Sequence, residues 1–576
     1  MKCGLPSPRL IAGLLLMPLW AGNVVAREPL HRQIDRLIES KIEKEAAPAA
    51  TDGEFLRRVC LDLTGMVPTA TEASGFLDDP SAYKRQNLID KLMAAPEYAR
   101  HMQDVFDAML MERRDDMYVP SAEWRAFLRR SFADNLPYDQ LVTQILSADG
   151  TDPKSRGAAK FYLDRLADPN LLTRDVSRMF LGRDLQCAQC HDHPVIDDYK
   201  QAHYYGIFAF LNRTSLFGVD PSGVNKNSTV LTEKAEGDVT FSSVFKKKVS
   251  HQTGPRILDG PAVPEPRVPK GAEYLVALDK EKKVRPIPRY SRRGELAKHL
   301  TSASVPQFSR NIVNRLWATM MGRGLIHPVD LDHAENPPAD AELLDFLARE
   351  FVTLGYDIKT FLRELALTRT YQRSSEPPPG ASPGDDSGGG STFTVAALKP
   401  LCPEQLAWSV MQGLGLVSLT RQQVEEKLDG HDPKMRAILQ TDAKRRALRV
   451  AMIEESVHDQ LQANVAPFVR QFAAAPGQPQ DAIEPTVHQA LFLSNGRQIQ
   501  TWLTPSNGNL VGRLAALSDA RAIAEELYLS LYCRRPTEEE RADVARYMSE
   551  RGKERVPALQ ELAWAMLTST EFRFNH

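Results

Sequence analysis

The residues best suited to chemistry in this 576-residue chain are two cysteines and a histidine in the segment Cys187-Ala188-Gln189-Cys190-His191. Cys-x-x-Cys-His is the attachment signature of c-type haem, because two thiols one helical turn apart can add to the two vinyl groups of the porphyrin. The adjacent histidine then lies beneath the iron as its proximal axial ligand. The spacing therefore predicts one covalent haem c held by Cys187, Cys190 and His191.

Two other chemistries could use the same residues. Cys187, Cys190, His191 and His193 are a valid tetrahedral set for zinc or iron, although ligands at 190, 191 and 193 would form a crowded loop. The cysteine pair could also form a structural or redox-active disulfide, but its flanks lack the βαβ context of a thioredoxin-like motif. If haem is bound, we expect His193 to lie beside the site without ligating iron, because Pro194 restrains it.

The ligand on the opposite face of the iron is not defined by spacing. The candidates are an open position or one of Met179, His203, His101, Met320 and Met321. A Met or His ligand favours an electron carrier, whereas an open position would permit turnover of a small molecule such as a peroxide. No other catalytic set is legible, so whether the chain is an enzyme stays open, and any activity is expected to be haem-dependent redox chemistry.

The N-terminus predicts export. Lys2 and Arg9 precede an apolar run over 10–20, and small residues lead up to Ala26, which is typical of a signal peptide at residues 1–26. The run is well short of the roughly 20 residues that span a bilayer. We therefore expect a periplasmic, cell-envelope or extracellular protein without a transmembrane segment in the mature chain. Export agrees with the motif, because c-type haem is attached outside the cytoplasm.

The overall composition excludes some classes of binding partner and of fold. Lys and Arg together number 72 and Asp and Glu 74, for a formal net charge of -2, which argues against a nucleic-acid binder. The five cysteines after position 26 are too few and too scattered for a disulfide-dependent exported fold. A redox protein needs a partner, so we expect a redox partner protein; the oligomeric state is not indicated.

The elements that must position the motif are mostly helices. Apolar residues recur at three- and four-residue spacing in two regions of the chain, as in helices. The stretch between them is rich in proline and has residues that alternate in the manner of a strand. We predict a mainly α, multi-helical two-module protein with a small β-rich insertion. The predicted parts are a helical cytochrome-like domain at 27–212, the insertion at 213–290 with a strand over Val239–Phe245, helices at 291–375, a flexible linker or loop at 376–392, and helices at 393–576.

A weak internal repeat links the two ends of the chain. Pro68-Thr69 followed by Glu72 has the same spacing as Pro536-Thr537 followed by Glu540. Thr with Glu three residues later is a capping box, so the pattern predicts a helix start at each place.

Longer segments resemble a known family. The first set is Arg57–Gly65, Leu185–Pro194 and Tyr204–Gly206; the second is Arg293–Ala297, Asn314–Trp317, Gly322–Leu325 and Asn336–Pro338. Together they resemble a planctomycete cytochrome-like two-domain family, in which domain of unknown function 1549 is followed by domain of unknown function 1553. The resemblance implies haem-linking thiols at Cys187 and Cys190 and a ligand at His191, marks His193, and brings no established activity.

The second domain also holds a polar cluster that could line a groove. Its members are Asn314, Arg315, His327, Asp330, His333, Glu335 and Asn336. Asn336-Pro337-Pro338 is also a natural turn before a helix that should start near Ala339, so we favour a structural role for the cluster.

Overall fold

The computed structural model describes residues 27–43, 45–220, 228–246, 248–378, 393–431, 443–480 and 486–576. The predicted signal peptide and positions 379–392 of the predicted linker lie outside these residues. Helices dominate, and every named strand belongs to a two-stranded antiparallel pair. The predicted fold class, mainly α with small β elements, is confirmed. Within the described ranges, no helix has both the length and the apolar character needed to cross a bilayer.

The first module is a set of short helices separated by prolines and turns. The helices are α1 (Leu30–Glu39), α2 (Asp52–Thr64), α3 (Ala70–Asp78), α4 (Lys84–Ala94), α5 (Pro96–Met111), α6 (Ser121–Ala133), α7 (Tyr138–Ser147), α8 (Lys160–Leu163), α9 (Pro169–Leu181) and α10 (Gln201–Leu211). The start of α9 is encoded locally, because Asp168 accepts from the Leu171 N–H and proline fills the first helical position. Its end is set by Gly182, whose φ of +70° suits glycine.

Paired strands follow α10. They are β1 (Thr214–Phe217) with β2 (Val230–Glu233), β3 (Val239–Phe241) with β4 (His251–Thr253), and β5 (Tyr274–Val276) with β6 (Ile287–Pro288). The strand predicted over Val239–Phe245 is wrong at its end, because only Val239–Phe241 is extended and paired. The chain turns at Val244, whose N–H donates to the Cys190 carbonyl oxygen (3.0 Å) instead of to a neighbouring strand.

The second module is again helical. Its elements are α11 (Arg292–Leu300), α12 (Pro306–Met321), α13 (Ala341–Thr353), α14 (Ile358–Leu367), β7 (Lys399–Pro400), α15 (Pro403–Gly413), α16 (Leu416–His431), α17 (Ala443–Leu461), α18 (Ala466–Phe472), α19 (Val487–Asn495), α20 (Arg497–Leu503), α21 (Leu510–Ala516), α22 (Ala520–Leu531), α23 (Glu538–Arg551), α24 (Arg555–Thr568), α25 (Thr570–Arg573) and β8 (Phe574–Asn575). Both predicted capping boxes form, at the starts of α3 and α23.

Helix α2 joins the two modules. Asp62 is buried and accepts from Lys399 Nζ (2.6 Å), Tyr371 Oη (2.8 Å) and Asn575 Nδ2 (2.7 Å). Arg57, also buried, donates to the Phe572 carbonyl oxygen (2.6 Å). The charged residues of this helix therefore hold segments that follow more than 300 positions later, and one hydrophobic core runs through both modules.

Candidate functional site

The Cys-x-x-Cys-His segment lies in the loop of residues 182–200 between α9 and α10, which we call the Cys loop. Cys187–Gln189 form a single 3-10 turn. Ala188 is buried and fixes this turn to the core, whereas Cys187 and Cys190 are exposed and neither is in a disulfide. Two free thiols are therefore presented at the surface within one turn of the chain.

His191 is held in one tautomer. Its ring is partly buried, and Nδ1 lies 2.7 Å from the Asp192 carbonyl oxygen. Because a carbonyl oxygen only accepts hydrogen bonds, Nδ1 must carry the proton. The lone pair is then on Nε2, for which the described residues provide no hydrogen-bond partner. A histidine that ligates a metal through Nε2 usually has its other ring nitrogen bonded in this way.

His193 is held in the opposite tautomer. Its Nδ1 lies 2.9 Å from the Ile196 N–H and 3.3 Å from the Val195 N–H, so this nitrogen accepts. In the neutral ring the proton is then on Nε2, and neither nitrogen offers a lone pair to a metal. Among the residues that the structure describes, no three His, Cys, Asp or Glu side chains are grouped so as to hold a metal ion. The four residues considered for zinc are thus not assembled as a tetrahedral site.

Aromatic side chains flank one side of the Cys loop. The ring of Phe245, which is 78% exposed, lies 5.0 Å from the His191 ring between centroids. Tyr205 of α10 donates to the Gln189 carbonyl oxygen (3.0 Å) and stacks on Phe241 of β3 at 4.6 Å and 4°. The β-rich insertion therefore contributes a wall of the site. Sequence reasoning did not identify Phe245, and the only local signal was the alternating pattern around it.

The second module holds the other side of the loop. The Asp184 N–H donates to the Asp330 carbonyl oxygen (3.0 Å), and the Asp332 N–H donates to the Gly182 carbonyl oxygen (2.9 Å). Further along, the Ala334 N–H donates to the Asp198 carboxylate (2.7 Å). Both ends of the Cys loop are thereby tied to residues 330–334.

The predicted polar cluster of the second module forms hydrogen bonds and an ion pair that hold residues 330–334 in place. Asn314 bonds both backbone groups of Ile326, at 2.9 Å each, and Asn336 donates to the Leu331 carbonyl oxygen (2.8 Å). Asp330 pairs with Arg315. Helix α13 begins at Ala341, two residues later than predicted, because Asp340 caps it. The favoured structural reading of the cluster thus agrees with its contacts.

The candidates for the second iron ligand are either hydrogen-bonded to other groups or buried away from the surface. His203 has both ring nitrogens bonded, Nδ1 to the Asp198 carbonyl oxygen (2.8 Å) and Nε2 to Asp259 (2.9 Å). Met179 is fully buried and its sulfur lies 3.7 Å from Arg165. His101 is buried on α5, and burial lowers its pKa to about 3. Met320 and Met321 are buried at the end of α12.

Fold and site together define a mainly helical two-module protein that presents a Cys-x-x-Cys-His loop between a β-rich insertion and its second module. The sequence matches PSCyt2, Protein of unknown function (DUF1549), over residues 33–216, and PSD1, Protein of unknown function (DUF1553), over residues 292–548. The chain belongs to the family in which these two domains follow each other in this order. No curated protein and no solved structure matches it.

Proposed function

We propose that this protein is an exported, c-type haem-binding redox protein of the cell envelope, with a single haem attached at Cys187 and Cys190. The observation that carries the proposal is the pairing of two exposed free thiols with an adjacent histidine whose Nδ1 is already bonded. Each S–H would add across one vinyl group, with sulfur bonding one carbon and hydrogen the other, so no oxidant is needed. His191 Nε2 would bind the iron.

The side chains around the loop suit a flat apolar group. Phe245, Val195 and Val244 are 78%, 72% and 45% exposed, respectively, and exposed apolar side chains beside a reactive loop are typical of a covered surface. The Asp192 carbonyl oxygen would orient the His191 ring and increase its basicity as a ligand. When bound, the haem would supply one-electron transfer. The electrons would pass to and from a redox partner protein.

Mass spectrometry of the exported protein tests this assignment. After co-expression with a cytochrome c maturation system, we expect a chain that begins at Arg27 and is heavier by one haem. Substituting both Cys187 and Cys190 by Ala should abolish the added mass. Cys402→Ala is the matched control, because this free thiol lies outside the motif and its loss should leave the haem attached.

The alternative is an envelope binding or scaffold protein whose Cys/His cluster is a zinc or disulfide site. It predicts stoichiometric zinc without iron, or a bond between Cys187 and Cys190, in the purified protein. Haem-free protein with either of these features would replace our proposal by this alternative.

A further inference from the structure

Helix α9 carries a cation beside the Cys loop that has no anionic partner among the described residues. Arg174 is half-buried, and its Nε donates to the Asn170 carbonyl oxygen (3.4 Å), one turn earlier in the helix. Its other two nitrogens donate to no described residue. Asp168, at the start of the helix, accepts from the Leu171 N–H (2.8 Å) as a cap and forms no ion pair with Arg174. The end of the guanidinium fork is therefore available for an anion.

Asn170 connects Arg174 to the Cys loop. Its side-chain oxygen accepts from Nε2 of Gln189, which lies between the two cysteines of the motif (3.1 Å), and from the Tyr204 hydroxyl (3.0 Å). The same hydroxyl lies 3.4 Å from the Asn170 carbonyl oxygen, the atom that also accepts from Arg174. Arg174, Tyr204 and Gln189 are thus held around one asparagine.

The other end of this part of the loop is attached to the same face of α9. Arg178 lies one turn after Arg174 and pairs with Asp330 (3.1 Å), whose carbonyl oxygen accepts from the Asp184 N–H (3.0 Å). Residues four positions apart lie on one face of a helix. The segment 184–189 therefore runs along this face, with Arg174 between its two points of attachment.

A haem attached at this loop would bring two propionate carboxylates to the protein. A carboxylate that leaves water needs a cationic partner, and a guanidinium suits it well, because two parallel N–H groups match its two oxygens. Lys246, which follows Phe245, is exposed, and water solvates its ammonium strongly. Arg174 is half-buried and already fixed through Nε, so it loses less freedom when it binds a carboxylate.

We infer that Arg174 pairs with one propionate of the haem and thereby orients the group on the Cys loop. The inference rests on the proposed function, because it needs a haem at Cys187 and Cys190. In this role Arg174 is a binding residue and takes no part in forming the thioether bonds.

A pH titration of the haem-loaded full chain tests this pairing, with the haem methyl NMR signals and the reduction potential as readouts. A positive charge close to a carboxylate lowers the pKa of that carboxylate by about one to three units. We therefore expect two separate propionate transitions in wild type. In Arg174→Gln the lower transition should move up by about one to three pH units, whereas Arg174→Lys keeps the charge without the fork and should recover part of that shift.

Lys246→Gln is the matched control, because it removes one exposed positive charge near the site, and both transitions should stay in place. A single transition in wild type, unmoved transitions in Arg174→Gln, or an equal shift in Lys246→Gln would overturn the inference and leave the haem itself unaffected. Pyridine haemochrome spectra separate the two proposals, since wild type without haem refutes the proposed function and, with it, the role of Arg174. The wild-type titration decides the matter even if Arg174→Gln does not fold.

Discussion

Replacing Asp330 by Asn tests whether the second module holds the Cys loop in place. The Asp330 carboxylate lies 3.1 Å from Arg178 at the end of α9 and also pairs with Arg315 of α12. Its backbone carbonyl oxygen accepts from the Asp184 N–H. Asparagine keeps the size of the side chain but removes the charge that anchors this backbone segment.

The expected loss in free energy depends on which partners Arg178 and Arg315 keep when the Asp330 charge is removed. Removing one member of a buried ion pair costs about 3–5 kcal/mol. Arg178 keeps Glu112 at 2.7 Å, and Arg315 keeps the Asn311 oxygen at 3.0 Å, so neither guanidinium is left alone. We therefore expect a loss of about 2–3 kcal/mol in the free energy that closes the loop. Asp345→Asn is the control, because Asp345 is 48% exposed beside Arg310 and its loss should cost under about 1 kcal/mol.

Hydrogen exchange measures this directly. The amides of Asp184 and Asp332 bond across the two modules and should exchange roughly 30- to 150-fold faster in Asp330→Asn, as about 2–3 kcal/mol implies. In Asp345→Asn they should exchange as in wild type. Unchanged exchange in Asp330→Asn, or an equal acceleration in both variants, would show that the Asp330 carboxylate does not hold the Cys loop.

Three further predictions concern other contacts. Asp62→Asn and Lys399→Met should each lower the free energy of unfolding by about 3 kcal/mol, because each leaves a buried charge without its partner. The double variant should lose little more than either single variant. Additive losses in denaturant titrations would contradict a coupled buried pair. Because burial lowers the pKa of His101 to about 3, from 6.5 for an unperturbed His, the unfolded state binds a proton first and stability should fall as pH drops from about 6.5 towards 3. His101→Gln should flatten the pH dependence of stability measured by thermal unfolding. An unaltered pH dependence would show that His101 is not its cause. With haem attached, Phe245→Ala should lower the reduction potential, because water gains access to the His191 ring; an unchanged potential in spectroelectrochemical titration counts against this role.

Helix boundaries were predictable because their signals are local. The Thr69 and Thr537 boxes mark the starts of α3 and α23. Each of these signals acts through hydrogen bonds within a few residues, so neighbouring sequence alone contains it.

The walls of the site could not be predicted, because they depend on distant contacts. Phe245 reaches His191 only after the chain has formed α10 and turned through the insertion, and the predicted strand missed that turn. The bond from Asn575 to Asp62 joins residues that are 513 positions apart. No periodicity in the sequence encodes such pairs, since they arise when the modules pack.

The proposed function depends on a covalent haem at Cys187 and Cys190 with His191 beside it. A pyridine haemochrome spectrum of the purified exported protein detects such a haem. We expect one haem per chain with the absorbance of a porphyrin linked by two thioethers, which survives acid-acetone extraction. A colourless protein from the same haem-competent cells, with both thiols free or holding zinc, would contradict it.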